Sequence, residues 1–383
     1  MIQIKSYKFR MYPSKEQSIL INKTTGCNRF IFNMFLNKKQ EQYKTTKTSM
    51  SAYDCCKEIP NLVTPYPWLK EVDSCALRCS IFDLEDAFKR MFNKQNNYPK
   101  YKSKFSKNSY RTNNVKSEYK GNRYNSIRLD LDNKQITLPK LKEVSIKGYR
   151  SLTKIDGEII NATISKEPDG RYYVSVMVKK EIGIAKVDHE EIIGIDLGIK
   201  DLITTSDNET YGNVKALNKY ERRLKHLQRE LSRKVKGSQN YQKCKTKIAI
   251  IYRKIRNTRK YYLHKISKTI TETKSIIVTE TLKIKNMLKN HKLAKEISDV
   301  SWSELIRQLE YKAKWKGKRF YQIETFYPSS QICSRCGYKE VKVKDLKIRN
   351  WECAECGTKH GRDNNAAVNI MFEGIKRYME EIA

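Results

Sequence analysis

The chain opens on an alternation of apolar and polar positions, Ile2-Gln-Ile-Lys-Ser-Tyr-Lys-Phe-Arg-Met-Tyr12, and this two-residue period predicts a strand. Pro13-Ser14 breaks it, after which Ile19, Cys27, Phe30, Ile31 and Met34 recur at helical spacing. A second helical stretch runs from about Trp68 to Phe92, with Leu77, Ile81, Leu84, Phe88 and Met91 three and four residues apart. Strand-like runs return at Ile136 to Leu138, Ile159 to Ile164 and Tyr172 to Val178, the last two separated by the turn Pro168-Asp-Gly170. These elements predict a small β-domain interrupted by packed helices. Ile192-Ile-Gly-Ile-Asp-Leu-Gly-Ile-Lys-Asp-Leu-Ile-Thr-Thr reads as a buried strand, a short turn and an antiparallel return strand. Ile276-Ile-Val-Thr-Glu280 is a short apolar strand ending in a carboxylate. Ser301-Trp-Ser-Glu304 predicts a capping box before a helix carrying Leu305, Ile306, Leu309 and Ala313, which Gly317 ends, and strand pattern resumes from Arg319 to Ile323.

Two segments are set apart by charge. From Lys94 to Arg123 the periodicity disappears, leaving nine Lys or Arg, one Glu and the aromatics Tyr98, Tyr101, Phe105, Tyr110 and Tyr119. Basic residues interleaved with aromatics suit phosphate contact with base stacking, the alternative being a solvated linker. Lys100, Lys102, Lys104, Tyr110 and Arg111 are the candidates there. From Lys215 to Lys265, 18 Lys or Arg stand against two Glu, a balance of +16, on a helical pattern broken at 236–238. This predicts a basic helical hairpin. Solvated faces normally mix charge signs and this one does not, so Arg222, Arg223, Arg229, Arg233, Arg253, Arg256 and Arg259 are expected to meet a polyphosphate.

The whole chain carries the same bias, +36 from 78 Lys and Arg against 42 Asp and Glu. Self-repulsion on that scale calls for a polyanion, and nucleic acid is the expected partner. At 383 residues the chain exceeds the roughly 250–300 residues at which single cores stop growing, so two or three domains are expected. No apolar run approaches the length of a membrane span and no signal core follows Met1, so the expectation is a cytoplasmic, nucleoid-associated protein without a membrane partner.

Of ten cysteines, four form two knuckles, Cys333-Ser-Arg-Cys336 and Cys353-Ala-Glu-Cys356, with sixteen residues between them and Gly337 and Gly357 directly behind. That spacing is the pattern of a structural tetrathiolate Zn²⁺ site with no open coordination position. Catalysis must then lie elsewhere. The other six, Cys27, Cys55, Cys56, Cys75, Cys79 and Cys244, show no disulfide framework and suit a reducing compartment. Asp196 sits in a strand between Gly194 and Gly198, Glu280 ends another strand, and Asp363, seven residues beyond Cys356, opens a helix. Singly each could be a turn, a surface or a capping residue. Three acids at element ends invite Mg²⁺, and two such ions about 3.5–4 Å apart can activate water and stabilise the leaving oxygen of a phosphodiester. The glycines beside Asp196 suggest close approach of backbone and substrate. His189, His226, His264, His291 and His360 lie in charged or polar contexts without a Ser or Cys nucleophile motif, and read as surface histidines.

The sequence resembles the TnpB family of transposon-encoded proteins, related to type V CRISPR effectors. Gly194-Ile-Asp-Leu-Gly-Ile-Lys200, Ile277-Val-Thr-Glu280, Tyr327-Pro-Ser-Ser-Gln-Ile-Cys-Ser-Arg-Cys-Gly337 and Arg362-Asp-Asn-Asn-Ala-Ala367 carry the likeness, with Lys8-Phe-Arg-Met-Tyr-Pro-Ser-Lys-Glu-Gln17 and Trp68-Leu-Lys-Glu-Val-Asp73. The resemblance implies an α+β multidomain protein: a wedge-like β-barrel over 1–13 and 124–188, interrupted by a helical recognition domain over 14–123, then an RNase H-like (RuvC) mixed-sheet nuclease domain over 189–327 and 360–383 with a zinc ribbon inserted at 328–359. It implies that Asp196, Glu280 and Asp363 are the catalytic, Mg²⁺-binding carboxylates. It also implies a guide RNA from the transposon end and cleavage of complementary double-stranded DNA beside a short adjacent motif, with a monomer per RNA favoured over a dimer. The region from Ser51 to Arg78, including Tyr53 and Cys75, matches the helices that read that motif. A DNA-binding repressor that does not cut, and a strand-transfer transposase, remain the alternatives.

Overall fold

A computed structural model describes residues 2–119, 122–148, 155–181 and 191–382; His189 and the expected boundary at 188/189 lie outside the described residues. The chain divides into two units, Met1–Ile182 and Gly183–Ala383. No described helix is long and apolar enough to cross a membrane.

In the first unit the opening alternation forms β1 (Ile2–Tyr12), burying Phe9 and Met11. Ser14 stops it and caps α1 (Lys15–Thr46) through a capping box with Gln17. The Gln17 amide also donates to the carbonyls of Leu141 and Glu143, at 2.9 and 2.8 Å, so one side chain starts the helix and ties it to the sheet. After α2 (Ala52–Leu62) comes a 3-10 turn (Pro67–Glu71). Asp73 then caps α3 (Ser74–Phe92), which therefore begins later than the expected Trp68. Phe35, Leu36, Cys55, Leu77, Ile81 and Leu84 form the helical core. Lys39, only 4% exposed, is held there by Glu85 at 2.8 Å.

The segment after Lys94, where no period was visible, enters β2 (Asn108–Asn113), followed by the hairpin β3 (Lys116–Tyr119) and β4 (Asn122–Asn125). With β5 (Arg128–Asp130), β6 (Gln135–Leu138), β7 (Lys142–Lys147), β8 (Glu158–Lys166) and β9 (Tyr172–Glu181), β1 and β2 make a seven-stranded sheet in the order β2-β8-β9-β1-β7-β6-β5. Its edge strands β2 and β5 share no ladder. They are tied at the base of the β3–β4 hairpin, where Ser126 N–H donates to the Val115 carbonyl at 3.0 Å and Ile127 N–H to Asn114 Oδ1 at 3.0 Å. One apolar cluster, including Tyr110, Ile136, Ile164 and Val176, fills the sheet.

In the second unit β10 (Ile192–Asp196), β11 (Asp201–Thr205) and β12 (Thr210–Gly212) form an antiparallel meander. The basic segment follows as α4 (Ala216–Ser232) and α5 (Gln239–Thr273), a hairpin zipped by Leu224, Leu227, Cys244, Ile248, Ile251 and Ile255. The chain returns as β13 (Ile276–Thr279), parallel to β10, and after α6 (Ile284–Met287), α7 (Ala294–Val300) and α8 (Trp302–Trp315) as β14 (Arg319–Gln322), parallel to β13. The sheet order is β12-β11-β10-β13-β14. The expected capping box at Ser301 does not form. Ser301 adopts a left-handed conformation (φ 61°) that turns its hydroxyl to the carbonyls of Ser298 and Asp299, and Glu304 is taken by Arg307 at 2.7 Å. A two-stranded ribbon, β15 (Asn350–Glu352) and β16 (Lys359–Gly361), leads into α9 (Arg362–Ile382). One face of the sheet packs Ile193, Ile195 and Ile277 on residues of α5 and α8, and the other packs Val278 on Ile370 of α9.

Candidate functional site

Parallel pairing of β10 with β13 sets Ile195 opposite Thr279. Asp196 and Glu280 are each the next residue, so they sit side by side at the carboxyl ends of two strands spaced about 4.8 Å apart. Asp363 arrives from α9, which crosses β10 in close contact. A Cβ on Gly194 would stand 2.0 Å from the Ala367 carbonyl oxygen and 2.6 Å from the Met371 nitrogen. On the next strand, a Cβ on Gly374 of α9 would meet Val278 Cγ2 at 2.2 Å. Both glycines beside Asp196 serve packing: Gly194 admits the helix, and a Cβ at Gly198, which also lines the cavity of the acids, would stand 2.4 Å from the Asp201 carbonyl oxygen in the turn between β10 and β11. Asn364 anchors the start of α9 by donating to the Thr205 carbonyl at 3.2 Å.

The three acids line one cavity of about 800 Å³, together with Lys200, Lys215, Arg349 and Arg362. Burial, followed by the charges of Glu280 and Asp363, holds the Asp196 carboxyl well above its ordinary range, while Arg362 and Arg349 act the other way. Burial pushes Glu280 up to about 7, against the Leu197 N–H that donates to it at 3.1 Å. Asp363 accepts from one Arg349 nitrogen at 3.3 Å to each oxygen. Hard oxygen donors that repel one another when ionised are the donor set a divalent cation stabilises.

The four thiols of Cys333, Cys336, Cys353 and Cys356 lie within 4.8 Å of one another, and the Cys333–Cys356 and Cys336–Cys353 sulfurs are each 3.6 Å apart. A Zn–S bond of ~2.3 Å in a tetrahedron requires about 3.8 Å, so the set fits zinc. Both knuckles turn the same way, with Gly337 N–H donating to the Cys333 carbonyl and Gly357 N–H to that of Cys353, each at 2.9 Å. Gly337 and Gly357 take φ of 80° and 66°, which only glycine adopts freely. His360, expected on the open surface, instead has Nε2 3.0 Å from Cys333 Sγ and its ring beside Trp351.

The residues that join ribbon to helix were not singled out from the sequence. Asn365 and Asn369, one turn apart on α9 and 1% and 3% exposed, both donate to the Ile332 carbonyl, at 2.7 and 2.6 Å, and Asn365 accepts from Ser334 N–H at 3.0 Å. Two buried amides spaced by four residues on a helix that also carries a candidate acid are the signal that could have found them.

The nucleic-acid candidates divide. Lys100 and Lys104 are exposed, as are Arg222, Arg223 and Arg229 on α4, Arg233 at its C-cap and Arg256 on α5; Arg253 is half-buried. Tyr110 is 5% exposed and belongs to the sheet core, because β2 alternates where no period was visible, so its ring is not available for stacking. Lys102 lays its ammonium 3.6 Å over the Phe32 ring, and Arg111 pairs with Asp83 at 2.8 Å. Arg259 is engaged by buried Asp299 at 2.5 Å, the same carboxylate that accepts from Leu217 N–H at the start of α4; it braces the hairpin rather than facing outward. Of the motif-reading candidates, Ser51 caps α2, Tyr53 is 71% exposed beside Phe82, and Cys75 and Arg78, three residues apart, lie in the first turns of α3, Arg78 exposed.

Three family models match the chain: "Cas12f1-like, TNB domain" over residues 302–370, "Probable transposase" over 173–291, and "Helix-turn-helix domain" over 1–48. Within residues 2–48 the structure holds β1 and the single helix α1 rather than a helix-turn-helix. A Streptomyces pristinaespiralis protein named "Putative RNA-guided DNA endonuclease" is 33% identical over 386 residues, spanning 98% of this chain and 90% of that protein. The Escherichia coli K12 protein "Putative RNA-guided DNA endonuclease InsQ" is 30% identical, spanning 98% of this chain and 93% of that protein. Among solved structures, the protein of a Cas12f1-sgRNA-target DNA complex superposes with a TM-score of 0.56 at 13% identity, over 97% of this chain and 98% of that one, a likeness of fold.

Proposed function

Because the chain belongs to the TnpB family, we propose that it is an RNA-guided endonuclease that hydrolyses DNA phosphodiesters at the cavity of Asp196, Glu280 and Asp363. The convergence of these three acids from β10, β13 and α9 on one cavity carries the reading. The strand order β12-β11-β10-β13-β14, an antiparallel meander continued by two parallel strands, supports an RNase H-like nuclease domain, in which acids at the carboxyl ends of the central strands face the substrate. The first unit, with its seven-stranded sheet and helical insert, is the proposed wedge and recognition part, and Ser51, Tyr53, Cys75 and Arg78 lie in its proposed motif-reading region.

Mg²⁺ bound here would supply a polarised water and charge compensation at the phosphate. The three carboxylates would hold it, most completely when Asp196 and Glu280 are ionised. The Leu197 N–H fixes the orientation of Glu280. Arg349 and Arg362 add positive charge on the cavity wall, where a phosphate would lie. Zinc in the ribbon would act structurally, since four thiolates close its coordination sphere. The exposed arginines of the α4–α5 hairpin are the proposed contacts to RNA or DNA backbone. Sequence choice would fall to base pairing with a guide, so the protein itself needs little base-reading surface.

Purified protein with its copurifying RNA, sequenced to define the guide, is expected to cut matched DNA with Mg²⁺. An Asp196→Ala variant that cuts as well as the parent sinks the assignment. Target occupancy without product strands would favour a repressor, and joined strands formed without RNA a transposase.

A further inference from the structure

The cavity has a feature that phosphodiester hydrolysis by three acids does not use. Phe326 lines it and is 83% exposed, and Leu346, 68% exposed, lines it too. The exposure of Phe326 does not come from a loose loop. On either side the chain turns inward: Ile323 is 2% exposed, and Tyr327 packs on the cluster of Val278 and Ile370. The turn is fixed to the two residues flanking Glu280, since Ile323 N–H donates to the Thr279 carbonyl at 2.9 Å and Thr281 Oγ1 donates to the Ile323 carbonyl at 2.6 Å. Tyr327 N–H closes it on the Glu324 carbonyl at 3.3 Å. The aromatic ring is therefore held at a set position relative to a candidate metal-binding acid. Lys283, three residues past Glu280, places its ammonium 4.7 Å from the ring centroid, which leaves the opposite ring face for another group.

We propose that Phe326, backed by Lys283, is a stacking subsite for one unpaired nucleobase of the strand being cut, holding the adjoining phosphodiester over the acids. The proposal rests on the nuclease reading and adds its substrate form. Acids and a metal grip only the phosphate, which leaves the strand free to slide. Stacking on an aromatic face fixes a nucleotide without regard to its sequence, because every base has a π-face. A paired base has both faces occupied by its neighbours, so the subsite selects single-stranded over double-stranded DNA at the moment of cutting. The ammonium on the other ring face strengthens the platform and offers a contact to a neighbouring phosphate.

The test compares the full chain with its RNA against Phe326→Ala and Phe326→Trp on single-stranded DNA. Phe326→Ala should lower kcat/KM about 5- to 150-fold, the range expected for losing one base–aromatic stack, with zinc content and RNA affinity unchanged. Phe326→Trp should restore most of it. An abasic nucleotide beside the cut should harm the parent protein as much as the variant does, and should add nothing in Phe326→Ala. Equal rates for all three proteins, equal loss in Ala and Trp variants, or additive effects of the abasic nucleotide and Phe326→Ala would overturn the subsite; the last two would leave an unspecific role in the fold or in partner docking. If the parent cuts neither this strand nor matched double-stranded DNA, the nuclease reading fails; wherever the single strand is left uncut, quenching of a 2-aminopurine in the bound strand decides the subsite alone: quenching lost in Phe326→Ala supports it, quenching retained refutes it.

Discussion

Replacing Gly194 by Ala should separate assembly of the acid site from folding of the rest. The added Cβ would lie 2.0 Å from the Ala367 carbonyl oxygen, 2.6 Å from the Met371 nitrogen and 2.9 Å from the Met371 Cβ. To reach the 3.4 Å of an ordinary contact, the nearest atom must retreat by about 1.4 Å, and two of the three atoms are helix backbone that no rotamer change can move. Helix α9 must therefore shift off β10, taking Asp363 away from Asp196. Overpacking of this kind costs about 1–3 kcal/mol, and a misplacement of ~1 Å at a reacting centre costs on the order of 10²-fold in rate. Cutting of matched DNA at saturating Mg²⁺ should fall by about that factor, with a lower melting temperature and unchanged zinc content. Gly212→Ala is the control, because a Cβ there meets nothing within 4 Å. Gly374→Ala should behave like Gly194→Ala but be partly rescued by Val278→Ala, which removes the contacts at 2.2 and 2.7 Å and leaves only the Val278 Cβ at 2.9 Å. If Gly194→Ala cuts and melts like the parent, the tight seating of α9 is not what positions Asp363.

The pH dependence of the Mg²⁺-free protein has a definite sign. Glu280 has its proton affinity raised from 4.5 to about 7, so the folded state binds that proton more tightly, and its contribution to stability is lost as pH rises from about 4.5 through 7. Melting without added Mg²⁺, zinc retained, should show this loss; Mg²⁺ should reverse it at pH 8, cutting should decline below about pH 7, and an unchanged pH slope in Glu280→Gln would refute the cause. Asn365→Ala and Asn369→Ala each remove one of the two donors to the Ile332 carbonyl, a hydrogen bond worth about 0.5–1.5 kcal/mol, and should speed zinc loss to a chelator in a metal-release assay. Arg229→Ala should weaken nucleic-acid binding and flatten its salt dependence without altering melting, whereas Arg259→Ala should lower the melting temperature by leaving Asp299 buried and unpaired; the reverse pattern would contradict their assignment to outer and inner faces.

Strands buried on both faces announce themselves, and so β10 and β13 were legible as runs of Ile and Val, with their terminal acids beside them. The ribbon was legible because thiolate spacing is dictated by the metal. What escaped was structure whose order is carried by polar atoms. β2 reads Asn-Ser-Tyr-Arg-Thr-Asn, and its inward positions, Tyr110 and Thr112, are amphipathic or polar, so period-2 burial left no hydrophobic trace. At Ser301 the sequence has the letters of a capping box, but the preceding α7 ends at Val300 and forces a left-handed junction that a short-range rule does not anticipate. Arg259 and His360 were assigned by residue type. Their actual partners, Asp299 and Cys333, are 40 and 27 positions away, and only folding brings them together. The glycines beside Asp196 were noticed as needing a reason, yet the reason for Gly194 lay in a helix more than 160 residues downstream.

That distance bears on how the protein is made. A chain emerges amino end first, so the meander bearing Asp196, the arginine-rich hairpin and the strand before Glu280 are all synthesised ahead of α9. Asp363 and the helix that fills the groove over Gly194 come after the ribbon. A nascent or prematurely terminated chain thus has the surface proposed to grip nucleic acid but only two of the three acids. Because Asp363 follows Glu280 by 83 residues (363 − 280), a fragment that stops before α9 is expected, under the proposed function, to bind nucleic acid without cutting it.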